Sequence, residues 1–145
     1  MIAVALTDDH PVVRAGLRAV LDGQDDMRVV AEHETAEELV EHVLEGIAAD
    51  VLLLDLRFGE GRLGGAAATR QIVAAGGPPV LILTTYDSDA DILAAIEAGA
   101  SGYLLKDAPT AELAAAIRAA AAGRPRSAPP SSAVCSVGSG RRGSP

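Results

Sequence analysis

Residues 2–6 form an unbroken apolar run, and residues 11–21 behind it carry their apolar side chains at the three-and-four spacing of a helix. The alternation repeats: a run over 28–32, a helical pattern from about 36 to 45, then three further apolar runs at 51–54, 80–83 and 103–105. Those three end in Asp55, Thr84 and Lys106. Runs apolar at every position suit strands with both faces covered. Helix signals fill the gaps between them. Pro11 suits a first helical turn, where its missing N–H is harmless, and Thr35 with Glu38 makes a capping box. Ser88 with Asp91 starts a helix through Ala98, and Gly99 stands where a left-handed C-cap is wanted. Thr110 caps the last helix, 111–122, which Gly123 ends. Five strands and five helices in strict alternation predict an α/β fold, a parallel sheet covered by helices on both faces.

After Gly123 the composition breaks. All 20 acidic residues, but only eight of the 12 basic ones, lie within 1–123, leaving a formal −12 there against +4 in the last 22 residues. A body so acidic repels nucleic-acid backbones. Pro, Gly and Ser fill 13 of the last 22 positions, so the expectation is one folded domain over 1–123 and a disordered tail over 124–145. The single cysteine, Cys135, excludes an intramolecular disulfide, and no Cys/His cluster has zinc-ligand spacing. The opening residues lack the basic leader of a signal peptide, and no apolar run approaches the ~20 residues of a membrane span, so a cytoplasmic chain is expected. Phe58, Tyr86 and Tyr103 are the three aromatics and offer no stacking platform for single-stranded nucleic acid.

In an open parallel sheet, ligands bind beyond the carboxyl ends of the strands, beside the point where strand order reverses. Here those ends carry Asp8 and Asp9, Asp55, Thr84 and Lys106. Three carboxylates gathered within a few ångströms resist joint ionisation unless a cation neutralises them, and Mg2+ prefers such oxygen ligands together with retained waters. With a lysine as point charge and a threonine hydroxyl, these are the parts of a phosphoryl-transfer site. Taken singly, each has a plainer role as a turn or capping residue, or a solvated lysine. Five of them in one order favour the shared site. Tyr103, an aromatic next to a sheet, reads more often as core than as switch, His10, His33 and His42 read as surface or capping residues, and the acidic stretch 32–45 as a solvated face.

These residues resemble the response-regulator receiver domains of two-component signalling, over about residues 1–123. The resemblance rests on Asp8-Asp9 followed by His-Pro-Val-Val-Arg, on Val51-Leu-Leu-Leu-Asp55-Leu-Arg57, on Leu83-Thr84-Thr85-Tyr86, and on Gly99-Ala-Ser-Gly-Tyr-Leu-Leu-Lys106-Asp107. The Asp-His-Pro opening and the last two stretches are similar to the NarL/LuxR-type subfamily. The resemblance implies a flavodoxin-like, doubly wound sheet of strand order 2-1-3-4-5. It implies Asp55 as phosphoacceptor from a sensor histidine kinase, and Mg2+ held by Asp9, by Asp8 mainly through water, by Asp55 and by the backbone carbonyl of Arg57. It further implies Thr84 and Lys106 as phosphoryl-binding groups, Tyr103 as a switch that turns inward on activation, and Arg57 and Tyr86 as the positions that tune loss of the phosphoryl group. A conformational switch would then control a downstream protein partner, with homodimerisation left open.

Two departures stand out. Residues 58–65, Phe-Gly-Glu-Gly-Arg-Leu-Gly-Gly, replace the usual Met-Pro and Asp-Gly turn with a longer, glycine-rich loop over the acceptor. The 22 residues after Gly123 cannot build the helix-turn-helix that follows in NarL/LuxR-type regulators, so DNA binding is not expected from this chain alone. That leaves a free-standing receiver or the remnant of a transcriptional regulator. A Mg-dependent phosphohydrolase passing through an aspartyl-phosphate is the weaker alternative, because its nucleophile would follow the first strand in an Asp-x-Asp pattern. The expectation is a signalling domain, not an enzyme.

Overall fold

The computed structural model describes residues 1–59, 61–85 and 89–123. Expectations for Tyr86, for the Ser88 cap and for the tail over 124–145 lie outside the described residues. Ten elements alternate: β1 (Ile2–Thr7), α1 (Pro11–Asp22), β2 (Met27–His33), α2 (Ala36–Leu44), β3 (Val51–Asp55), α3 (Gly65–Ala74), β4 (Val80–Thr84), α4 (Asp89–Glu97), β5 (Gly102–Leu105) and α5 (Thr110–Ala121). The strands are parallel and ordered β2-β1-β3-β4-β5, the flavodoxin-like arrangement expected. No helix among the described residues is long and apolar enough to cross a membrane.

Successive side chains of a strand point to opposite faces, so the unbroken apolar runs supply two cores at once. Val4, Leu6, Leu53 and Leu83 pack with Leu21 of α1 and Leu113 and Ile117 of α5. Ala5, Leu52, Leu54 and Ile82 pack on the other face with Leu39 of α2, Ile72 of α3 and Ala95 of α4. Every residue of β3 and β4 is buried. Leu53 sits fully buried at the middle of the sheet. Leu53→Ala is expected to cost about 2–5 kcal/mol, read as a lower urea midpoint at unchanged slope; a loss under about 1 kcal/mol would contradict this packing.

The edges depart from the expected pattern. In β5 only Leu104 is buried, and Tyr103 is 43% exposed, because an edge strand has one neighbour and incomplete helix cover. On the opposite edge, Val4 pairs with Val29 but Ala5 with Ala31, which makes Val30 the extra residue of a bulge. Helix starts also differ in detail. Thr35 accepts the Glu38 N–H at 3.1 Å, yet the Glu38 carboxylate accepts from Glu34 at 3.0 Å instead of from Thr35, so the box closes one residue early. Thr110 does not cap α5. Pro109 holds that position at φ −59° and ψ 150° without a side-chain cap, and its carbonyl accepts from Glu112 and Leu113, both at 3.0 Å. Proline's fixed φ sets the chain's entry there and makes Thr110 the first helical residue. Gly99 has φ 113°, the left-handed conformation expected after α4.

Candidate phosphoacceptor site

Strand order reverses between β1 and β3, and the crevice beyond their carboxyl ends gathers the polar residues. The ladders run one residue past the strands and pin the main chain there. Asp8 N–H donates to the His33 carbonyl at 3.1 Å, Leu56 N–H to Leu83 at 3.0 Å, and Lys106 N–H to Thr84 at 2.8 Å. Asp8, Asp55 and Lys106 are thereby set by the sheet itself, not by loops.

Their side chains meet. The Lys106 ammonium lies 3.2 Å from Asp8 Oδ2 and 3.2 Å from Asp55 Oδ2. Asp8 and Asp55 are 1% and 3% exposed, whereas Asp9 stands at the mouth of the crevice with over a third of its side chain in solvent. One lysine faces two buried carboxylates, and Asp8 Oδ2 has no aligned hydrogen bond despite that ion pair. Burial pushes the Asp55 carboxyl above its ordinary value and the Asp8 charge adds to this, outweighing the opposite pull of Lys106 and the Arg57 N–H. Burial pulls Lys106 down, but Asp55 and Asp8 more than offset it, so the ammonium is held above its usual range. Two buried carboxylates sharing one ammonium, a third carboxylate at the mouth and a set of oxygen ligands are what a hard divalent cation fits.

The shift on Asp55 carries a sign. A carboxyl with a raised folded pKa binds its proton more tightly in the native state, so stability falls as pH rises from the unfolded value through the folded one, and the full cost remains above it. In EDTA at pH 7, Asp55→Asn is expected to raise Tm by a few degrees, on the order of 1 kcal/mol, because Lys106 keeps Asp8 as partner. The gap should narrow as pH falls toward 4. A variant less stable than wild type at pH 7 would contradict this charge balance.

The remaining expected residues are placed less uniformly. Thr84 is buried beside the acceptor strand and its hydroxyl donates to the Thr85 carbonyl at 3.3 Å. Tyr103 pairs in register with Ile82 and is partly exposed, so it is not a core residue. The Arg57 N–H donates to Asp55 Oδ1 at 3.5 Å, while its guanidinium meets Asp91 of α4 at 3.1 Å instead of covering the carboxylate. Tyr86 lies outside the described residues.

Two residues at the site, His10 and Arg14, were given no functional role by the sequence. His10 donates its N–H to Asp8 Oδ1 at 2.8 Å, and its ring Nδ1 lies 3.1 Å from Asp8 Oδ1 and 3.0 Å from Asp9 Oδ1. Arg14 donates to the Asp8 carbonyl at 2.8 Å and to Glu32 at 3.0 Å, bracing the β1–α1 turn from beneath. The signal for His10 was its direct succession to Asp8-Asp9; Arg14 offered none, since it acts on main chain. His33 corrects the expectation of a surface residue. It is buried, its Nε2 lies 3.0 Å from His42 Nδ1, and burial followed by the His42 charge lowers its pKa. Glu32 is likewise not merely solvated, because Arg14 and Arg18 both pair with it.

A doubly wound parallel sheet with a lysine-bridged acidic crevice at its switch point is the class of scaffold that the fold and the site define. The chain belongs to the response regulator receiver domain family, whose model matches residues 4–118. It is similar to the transcriptional regulatory protein LiaR of Bacillus subtilis (strain 168), 43% identical over 127 residues that make up 87% of this chain and 59% of LiaR. The solved structure of ChrA, the response regulator of a heme-sensing two-component system, is 51% identical with a TM-score of 0.72 over 88% of this chain and 60% of that one. The receiver domain of the putative response regulator NarL from Mycobacterium tuberculosis is 31% identical, with a TM-score of 0.76 over 85% of this chain and 98% of that one. The NarL/LuxR-type likeness is borne out by these relatives. The chain spans about three-fifths of the length of LiaR.

Proposed function

We propose that residues 1–123 act as a cytoplasmic phosphoacceptor unit. Asp55 takes a phosphoryl group from a phosphohistidine of a sensor histidine kinase, and the resulting change of conformation controls a protein partner. The observation that carries this reading is the Lys106 ammonium placed 3.2 Å from both Asp8 and Asp55, with Asp55 buried at the end of the central strand. An Asp55 oxygen attacks phosphorus, the phosphorus–nitrogen bond breaks, and the histidine nitrogen leaves with the electron pair and takes up a proton. Asp8, Asp9, Asp55 and the Arg57 carbonyl would hold Mg2+, which when bound neutralises charge on the phosphoryl oxygens.

The added charge of about −1.5 to −2 changes the partners of two groups. Lys106 exchanges a carboxylate oxygen for a phosphoryl oxygen, and Thr84 exchanges its long bond to Thr85 for a phosphoryl contact. Moving Thr84 frees space beside β5 into which the partly exposed Tyr103 turns, so the face of α4, β5 and α5 changes shape. Arg57 and Tyr86 are the positions at which phosphoryl loss is tuned. With a formal charge of −12 on residues 1–123, this unit works through protein contacts and not through DNA.

Incubating the chain with Mg2+ and acetyl phosphate tests the reading by intact mass. A single phosphoryl-sized gain, absent in EDTA, is expected; no gain under conditions that load other receivers would sink it.

A further inference from the structure

The β1–α1 turn holds a nitrogen donor that the phosphoacceptor reading does not use. One oxygen or nitrogen atom from each of Asp8, Asp9, His10 and Asp55 lies within 4.8 Å of all the others. His10 Nδ1 is 3.0 Å from Asp9 Oδ1 and 3.1 Å from Asp8 Oδ1. An octahedral ion with bonds of about 2.1 Å sets adjacent donor atoms about 3.0 Å apart, so the imidazole nitrogen and the Asp9 oxygen, which here make a direct ion pair, also have the spacing of neighbouring ligands of one ion. The backbone bond from His10 N–H to Asp8 Oδ1 fixes the start of this side chain, and the ring is 63% exposed, open to an ion entering past Asp9. Asp8 Oδ2 is buried with no aligned hydrogen bond and has the Lys106 ammonium 3.2 Å away, an ammonium it shares with Asp55, so a single lysine faces the carboxylates of Asp8, Asp9 and Asp55.

We propose that His10 is a nitrogen ligand at this site and makes it a centre for first-row transition-metal dications, held more tightly than Mg2+ through that one imidazole. The proposal rests on the acidic site of the phosphoacceptor reading. An all-oxygen site also favours such ions by intrinsic affinity, so the discriminating quantity is how each metal responds to loss of the imidazole.

The test uses the full chain at fixed pH 7.5. Calorimetric titration with Ni2+ and with Mg2+ compares wild type with His10→Ala and His10→Gln, and pulsed electron paramagnetic resonance examines bound Mn2+. Ni2+ affinity is expected to fall about tenfold or more in both variants while Mg2+ affinity changes less than about twofold. Wild type should show one directly bonded imidazole nitrogen on Mn2+, a readout that does not depend on any variant folding. Equal responses of Ni2+ and Mg2+, no bonded nitrogen on Mn2+, or a Ni2+ affinity that follows His42→Ala in place of His10→Ala would each overturn the assignment of His10. Mg2+ binding indifferent to Asp9→Asn would overturn the acidic-site reading itself, and the His10 assignment with it.

Discussion

Asp55→Asn is expected to take up no detectable phosphoryl group from Mg2+ and acetyl phosphate, a loss of at least about 1000-fold in rate. The amide keeps the shape of the carboxylate but offers no anionic oxygen to attack phosphorus. Inactivity cannot then be assigned to unfolding, because the same change removes a buried charge and leaves Lys106 paired with Asp8 at 3.2 Å. Neighbouring carboxylates are not substitutes. Asp8 is held by the His10 N–H and by Lys106, and Asp9 stands at the exposed mouth. Intact mass followed over time for both proteins decides it, and uptake by Asp55→Asn at the wild-type rate would contradict the role given to Asp55.

Gly65→Ala has the largest expected effect on stability outside the core. A methyl group there would lie 2.8 Å from the Asp55 carbonyl oxygen, 2.8 Å from Leu56 Cα and 3.0 Å from the Leu56 carbonyl oxygen. All three are main-chain atoms, so no side chain can rotate away. The first turn of α3 is locked in place by Gly65 N–H donating to Leu56 at 2.9 Å and by the buried Thr69 hydroxyl donating to the Gly65 carbonyl at 2.8 Å. The helix must therefore shift against the strand that carries the acceptor. A net loss of about 2–4 kcal/mol is expected, even after the gain of helix propensity, with slower phosphoryl uptake by whatever remains folded. Gly64→Ala is the control, since a methyl group there meets nothing within 4 Å. Equal urea midpoints for the two variants would contradict the close approach.

How much of this was legible in the sequence follows from what carries each feature. The runs at 51–54 and 80–83 read directly as central strands because both of their faces are covered, and every residue of β3 and β4 is buried. The run at 103–105 looked the same and is an edge strand, because a run's composition does not reveal how many neighbours it has. Asp8, Asp55 and Lys106 were placed by a topological rule, strand ends beside a switch point, and the sheet ladders hold them there. The site's finer parts depend on distances that spacing alone does not encode. Arg14 acts on a main-chain carbonyl, the His33–His42 contact joins a strand to a helix, and the tight fit at Gly65 appears only when α3 is packed on β3. Thr110 was misread because Pro109 settles the helix start through its own φ.

The most direct measurement locates the phosphoryl group. After loading with acetyl phosphate, borohydride reduces an aspartyl-phosphate to homoserine, which peptide sequencing by mass spectrometry finds as a changed residue. Homoserine at position 55 and nowhere else is the predicted result. Homoserine at position 8 or 9, or a loaded protein with no homoserine at position 55, would contradict the assignment of Asp55 as the phosphoacceptor.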